Sequence, residues 1–156
     1  MSETVIDGIH LSLSGPETLP LSVVLRGSPT YNGPRCFFNV SFKNDSDRTR
    51  SLPFDEMRRN IVSIYRNSAG AERVDNRTPP PKAVGTVEAL PPGGTKSFQV
   101  VFEYPASIAI MKKREALFQF CIKWETKWLR STSYAPDAYD WNPSFELCRE
   151  IRIIAD

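Results

Sequence analysis

Histidine is nearly missing from this chain, cysteine is sparse, and no long apolar run occurs. Each shortage closes a route. His10 stands alone, and Cys36, Cys121 and Cys148 are scattered without C-x-x-C spacing, so zinc or copper would lack the usual ligand clusters. No stretch approaches the roughly 20 apolar residues of a membrane span. The first twenty-five residues hold no Lys or Arg, and no apolar run of seven or more follows Met1. A secretory signal is therefore not visible, and the chain reads as cytoplasmic. Charge of one sign is also lacking: 20 Lys and Arg offset 18 Asp and Glu, for a net charge of +2 with the signs mixed along the chain. That balance gives no one-sided basic field, so nucleic acid is not expected as a partner. Glycine-rich phosphate cradles are absent as well, since Gly93-Gly94 follows two prolines and leads into a strand.

Proline, in contrast, is plentiful. Thirteen prolines in 156 residues are about 8%, against a usual share of roughly 5%, and proline breaks long helices by removing a donor and crowding the preceding turn. Period-two alternation dominates instead. Ile9, Leu11 and Leu13 alternate with His10 and Ser12; Leu19, Leu21, Val23 and Leu25 follow after Gly15-Pro16. Phe38, Val40 and Phe42 alternate until the turn residues Asn44-Asp45-Ser46-Asp47. Leu52-Pro53-Phe54 reads as an edge or bulge segment, with one helical turn over Asp55 to Asn60. A hairpin is expected around Asn67-Ser68-Ala69-Gly70, then a polyproline connector at Thr78-Pro79-Pro80-Pro81. Phe98, Val100, Phe102 and Tyr104 alternate, and Pro105 to Lys113 allows a short helix. The longest alternation runs from Leu117 to Trp128, placing Phe118, Phe120, Ile122, Trp124 and Trp128 on one face. Phe145, Leu147, Ile151 and Ile153 define the last strand, with Arg149 as the polar intruder on their face.

Strands at this spacing with proline and glycine turns predict one all-β domain over 1–156, an immunoglobulin-like antiparallel β-sandwich of about seven to nine strands with room for one short helix. A closed barrel is the alternative architecture. The Ser63 to Val74 hairpin, followed by Leu90-Pro91-Pro92-Gly93-Gly94-Thr95 and an alternating strand, resembles cytoplasmic immunoglobulin-like modules of bacteria, including the intracellular proteinase inhibitor family. The resemblance spans residues ~35 to 128 and implies such a sandwich acting on another protein; no functional residue is carried over from it.

Catalytic chemistry finds little footing. His10 faces away from Ile9 and Leu11, and nothing places a nucleophile and an orienting carboxylate beside it. Asp55 and Glu56 point apart on a strand, whereas Asp137 and Asp140 share a loop and could converge as a carboxylate pair. Asp45 and Asp47 fit ordinary turn chemistry better than a calcium loop. The cysteines read as free structural thiols, Cys36 facing inward and Cys121 and Cys148 on the opposite face of their strands. A Cys121–Cys148 pair across neighbouring strands is geometrically allowed but requires an oxidising compartment. No enzyme, metal or cofactor is expected.

Recognition remains. The loop from Ser131 to Ser144 exceeds the usual hairpin length and carries the aromatic and small polar residues of paratopes. The predicted binding residues are Tyr134, Tyr139 and Trp141 as anchors, with Asp137 and Asp140 steering a partner that has a basic surface. The competing reading has Tyr139 and Trp141 folding back to cap the sandwich. The expected function is a non-enzymatic protein-binding module, such as an inhibitor, an immunity protein or a secretion-system adaptor. The alternative is a small-ligand or carbohydrate-binding sandwich, which needs Trp124, Trp128 or Trp141 in a row on one sheet face.

Overall fold

Alternating side chains become strands almost throughout the computed structural model, which describes residues 2–20, 36–67, 72–75, 88–102, 115–128 and 139–154. In chain order these are β1 (Glu3–Ile6), β2 (Ile9–Ser14), β3 (Thr18–Pro20), β4 (Cys36–Asn44), β5 (Arg50–Leu52), helix α1 (Phe54–Asn60), β6 (Val62–Asn67), β7 (Glu72–Asp75), β8 (Glu88–Leu90), β9 (Thr95–Phe102), β10 (Glu115–Trp124), a 3-10 turn (Thr126–Trp128) and β11 (Phe145–Ile154). Among the described residues the fold is all-β with one short helix, and the sheets do not close into a barrel. One sheet has the order β1-β2-β4-β9, a second β3-β11-β10-β6-β7, and β5 pairs with β8 in a small ribbon. Every pairing is antiparallel except β3 with β11, which is parallel. No helix among the described residues is long and apolar enough to cross a membrane.

The two larger sheets share one core because each turns its apolar alternate residues toward the other. Leu11, Phe38, Val40, Phe42 and Val100 are buried on one side, and Phe118, Phe120, Ile122, Trp124, Leu147 and Ile151 on the other. Phe38 meets Phe120 across the gap with ring centroids 5.2 Å apart. Phe42 sits among Phe98, Phe54, Trp141 and Phe145, at centroid distances of 5.8 to 6.2 Å. The expected inward faces of these strands are thus in place. Gly15 lies over the Phe38 ring, leaving no room for a Cβ. Arg149 occupies an inward position at the rim, where its Nη2 donates to the Gly15 carbonyl at 2.6 Å and lies 3.8 Å from Glu17.

Several local features differ from the sequence expectation. The strand expected to run on to Trp128 stops at Trp124: the Trp128 N–H donates to the Glu125 carbonyl at 2.9 Å, closing the 3-10 turn. Trp128 thereby leaves the strand and sets its ring edge-on to Trp124. β1 was not expected at all. It exists because Asp7 and Gly8, both at positive φ (46° and 78°), make a two-residue turn into β2. Pro53 stands at the N-cap position of α1 without a side-chain capping bond, its carbonyl accepting the Met57 N–H at 2.9 Å. Asn44 to Asp47 forms a side-chain-closed turn, with the Ser46 N–H donating to Asn44 Oδ1 at 2.9 Å. The buried Asn44 amide nitrogen donates onward to the Arg48 and Leu90 carbonyls. The expected segments at 21–25, 78–81 and 105–113 lie outside the described residues.

Candidate functional site

The residues expected to bind divide in two. Tyr134 and Asp137 lie outside the described residues, while Tyr139, Asp140 and Trp141 fall within them. Tyr139 is 8% and Trp141 1% exposed, so neither is the exposed anchor expected of it. The cause is packing together with hydrogen bonding. Trp141 stands edge-on to Phe42, lies beside Phe145, and donates its indole N–H to the Ile6 carbonyl at 2.9 Å. At 139–141 the segment closes one end of the sandwich.

Asp140 is drawn to that end by a cation the sequence reading left unassigned. Arg50 and Leu52 alternate on the inward face of β5, which buries the guanidinium to 2% exposure. A buried guanidinium needs acceptors. Nε donates to Asp140 Oδ1 at 3.3 Å, Nη1 to the Asp7 carbonyl and Nη2 to Asp7 Oδ2, both at 2.7 Å. Asp140 Oδ1 also accepts the Ser51 N–H at 2.9 Å, and its own N–H donates to Ser51 Oγ. The Arg50 hydrogen bond, and then its charge, hold the Asp7 carboxyl below its ordinary value. Asp140 is thus engaged by Arg50 and Ser51 rather than free; its expected partner Asp137 lies outside the described residues.

The outer face of the five-stranded sheet carries a different cluster. Cys121 and Cys148 are register partners on β10 and β11, and they form a disulfide. The expectation of free thiols is corrected here: both side chains leave the same face of adjacent strands, directly opposite each other. Cys121 is fully buried with Val62 and Ile64 beneath the partly buried Trp128, while Cys148 is half-buried at the margin. Arg66 on β6 reaches over the pair. Its Nη1 lies 3.3 Å from Cys121 Sγ and 3.9 Å from Cys148 Sγ, and donates to Gln119 Oε1 at 3.4 Å; Nη2 donates to Glu146 Oε1 at 3.1 Å. Cys121, Glu146 and Cys148 offer ligand atoms within 4.8 Å of one another, but the guanidinium already lies against all three. A permanent cation in that place opposes a metal ion.

Beside the sulfurs opens a cleft of about 500 Å³ lined by Glu17, Thr18, Leu117, Cys148, Arg149, Glu150 and Arg152, among others. Leu117 and Ile154 face outward here, 43% and 39% exposed. Leu117 pairs with Arg152 and Ile154 with Glu115, so the two aliphatic side chains are diagonal neighbours on one face. Neither stood out in the sequence, because both fall at the outward phase of otherwise regular strands. Elsewhere, His10 lies 3.6 Å from Glu3 on the opposite sheet, and Asp55 pairs with Arg58 at 3.4 Å. Of the three tryptophans, Trp124 and Trp141 are buried and Trp128 is partly so. The exposed row needed for stacking on sugars is not formed.

No family model matches the chain, and no curated protein matches it in sequence. Among solved structures, one titled as the X-ray structure of Northeast Structural Genomics Consortium target SoR45 aligns over 97% of this chain and 90% of its own, at 8% identity and a TM-score of 0.38.

Proposed function

We propose that this chain is a non-enzymatic, immunoglobulin-like module that binds another protein through the outer face of its five-stranded sheet. The observation that carries the reading is the Leu117–Ile154 pair. Two large aliphatic side chains remain exposed side by side, next to a cleft rimmed by Glu17, Glu150 and Arg152. An apolar centre inside a charged rim is the layout of protein interfaces. The immunoglobulin-like assignment is supported by strand order. Taking β2, β4, β6, β7, β9, β10 and β11 as A, B, C, C′, E, F and G, the sheets read A-B-E and G-F-C-C′. Cys121–Cys148 joins F to G within one sheet, unlike the inter-sheet bridge of antibody domains.

The proposed site therefore moves from the 131–144 loop to the sheet face at the opposite end of the β10–β11 ladder; Tyr134 and Asp137 lie outside the described residues. Its rim carries both signs, so the partner is matched by an apolar contact rather than by a basic surface. Cytoplasmic residence remains part of this reading, and there the thiol pool would keep the Cys121–Cys148 bond open for much of the time.

The test is chemical crosslinking and affinity capture in the native host with two double variants. Leu117→Asp with Ile154→Asp should lose the captured protein while the chain still unfolds in one cooperative transition, since both side chains lie outside the core on the outward face. Tyr134→Ala with Asp137→Ala should retain it. Capture that is unchanged by the first pair and abolished by the second returns the site to the loop and overturns this reading.

A further inference from the structure

We propose that the Cys121–Cys148 disulfide is a thiol-exchange site, opened at Cys148 by a small zwitterionic thiol that docks in the adjoining cleft. Exchange requires in-line attack on one sulfur while the other leaves as a thiolate, and its rate depends on which sulfur is accessible and how well the other departs. The two sulfurs are unequal in both respects. Cys148 is half-buried and lines the cleft, whereas Cys121 is fully buried. β11 lies between β3 and β10. Of the two sulfurs, Cys148 is therefore on the β3 side and is the one at the cleft that Glu17, Thr18 and Arg152 also line. The sulfur a nucleophile can reach from the cleft is that of Cys148.

The leaving side is equally specific. Arg66 Nη1 stands 3.3 Å from Cys121 Sγ against 3.9 Å from Cys148 Sγ, so its charge is nearer the sulfur that must depart. Apolar burial opposes a thiolate at Cys121, and a direct guanidinium donor offsets that opposition. Glu146 holds Nη2 at 3.1 Å and fixes the fork in place, although its own charge works against the thiolate. In the step itself, the incoming thiolate sulfur bonds to Cys148 Sγ as the Cys148–Cys121 bond breaks. The bonding pair leaves on Cys121 Sγ. The small thiol is oxidised to a mixed disulfide on Cys148, and Cys121 is reduced; return attack by Cys121 or by a second thiol removes the adduct. The cleft sets the class of thiol: Glu17 and Glu150 alternate with Arg149 and Arg152, which suits a molecule carrying both an ammonium and carboxylates, and about 500 Å³ is enough for one.

The proposal stands on the sulfurs, Arg66 and the cleft, and its test uses the isolated chain, so it can fail without the protein-binding reading failing. Oxidised protein is mixed with reduced glutathione or with 2-mercaptoethanol, quenched by alkylation at intervals, and read by intact mass and peptide mapping. Glutathione should open the bond at least tenfold faster than 2-mercaptoethanol at equal thiolate concentration, with the adduct on Cys148. Arg66→Met should slow opening at least tenfold in the folded protein, Arg66→Lys should restore part of the rate, and in denaturant the variants should match the parent. Cys121→Ser with glutathione disulfide should trap the adduct stoichiometrically on Cys148. Because serine in that apolar cluster could unfold the chain, the wild-type and Arg66 kinetics decide the matter alone. Equal rates for the two thiols, an adduct mapping to Cys121, no effect of Arg66→Met, or one tightly bound zinc in the reduced protein would each overturn the proposal.

Discussion

Arg50 and Trp141 show how much of one end of the molecule depends on single side chains. Trp141→Ala removes a fully buried indole and should cost about 3–5 kcal/mol, read as a lower urea midpoint with unchanged slope. Trp141→Phe keeps the ring contact with Phe42 but orphans the Ile6 carbonyl, and should cost about 1–3 kcal/mol. Asp7 gives a pH signature with a definite sign. Its carboxyl is held below the ordinary 3.8 by the Arg50 hydrogen bond. The folded state therefore binds that proton more weakly than the unfolded chain does. Its contribution is fully present above the ordinary value and is lost as pH falls through the lowered one. Asp7→Asn should flatten this part of the acid limb in thermal melts below the ordinary 3.8, leaving the neutral-pH slope unchanged. Gly15→Ala should cost about 1–3 kcal/mol, because the new methyl must displace the buried Phe38 ring.

Most of the strands were legible at the element scale because alternation is a local signal: Phe38-Val40-Phe42 and Phe118-Phe120-Ile122-Trp124 point inward as their spacing demands. What escaped were features set by two residues or by distant ones. Asp7-Gly8 is a strong hairpin dipeptide, yet Glu3 to Ile6 has too little alternation to announce β1. Gly8→Ala should test the turn: a methyl at φ 78° is strained and would meet Ser46 Cβ at 2.9 Å. Loss of about 1–3 kcal/mol with weakened amide protection over residues 3–14 is the expected result. The burial of Tyr139 and Trp141 was invisible for another reason. It depends on Arg50, about ninety residues earlier in the chain, and a paratope-like composition cannot distinguish an aromatic that greets solvent from one that seals a core. The Cys121–Cys148 pairing was allowed by spacing but needed the β10–β11 register to be fixed.

For the whole molecule, the consequential arrangement is the parallel pairing of β3 with β11. β2 belongs to one sheet and β3 to the other, so Gly15, Pro16 and Glu17 carry the chain across the corner between them. β3 then lies alongside the last strand, with Thr18, Leu19 and Pro20 matched to Arg152, Ile153 and Ile154. Opening Cys121–Cys148 releases a crosslink between β10 and β11, and the reduced protein should lose about 2–4 kcal/mol in urea unfolding, checked by comparing oxidised and reduced samples. The β3–β11 pair matters under load. Pulled from Glu17 and Ile154, the two strands are drawn in opposite directions along a shared axis. The force is borne in shear across the ladder, so its bonds must yield together, whereas an antiparallel hairpin at the ends would unzip one bond at a time. The corner at Gly15, by setting β3 parallel to β11, thus makes this pair resistant to being drawn apart from Glu17 and Ile154.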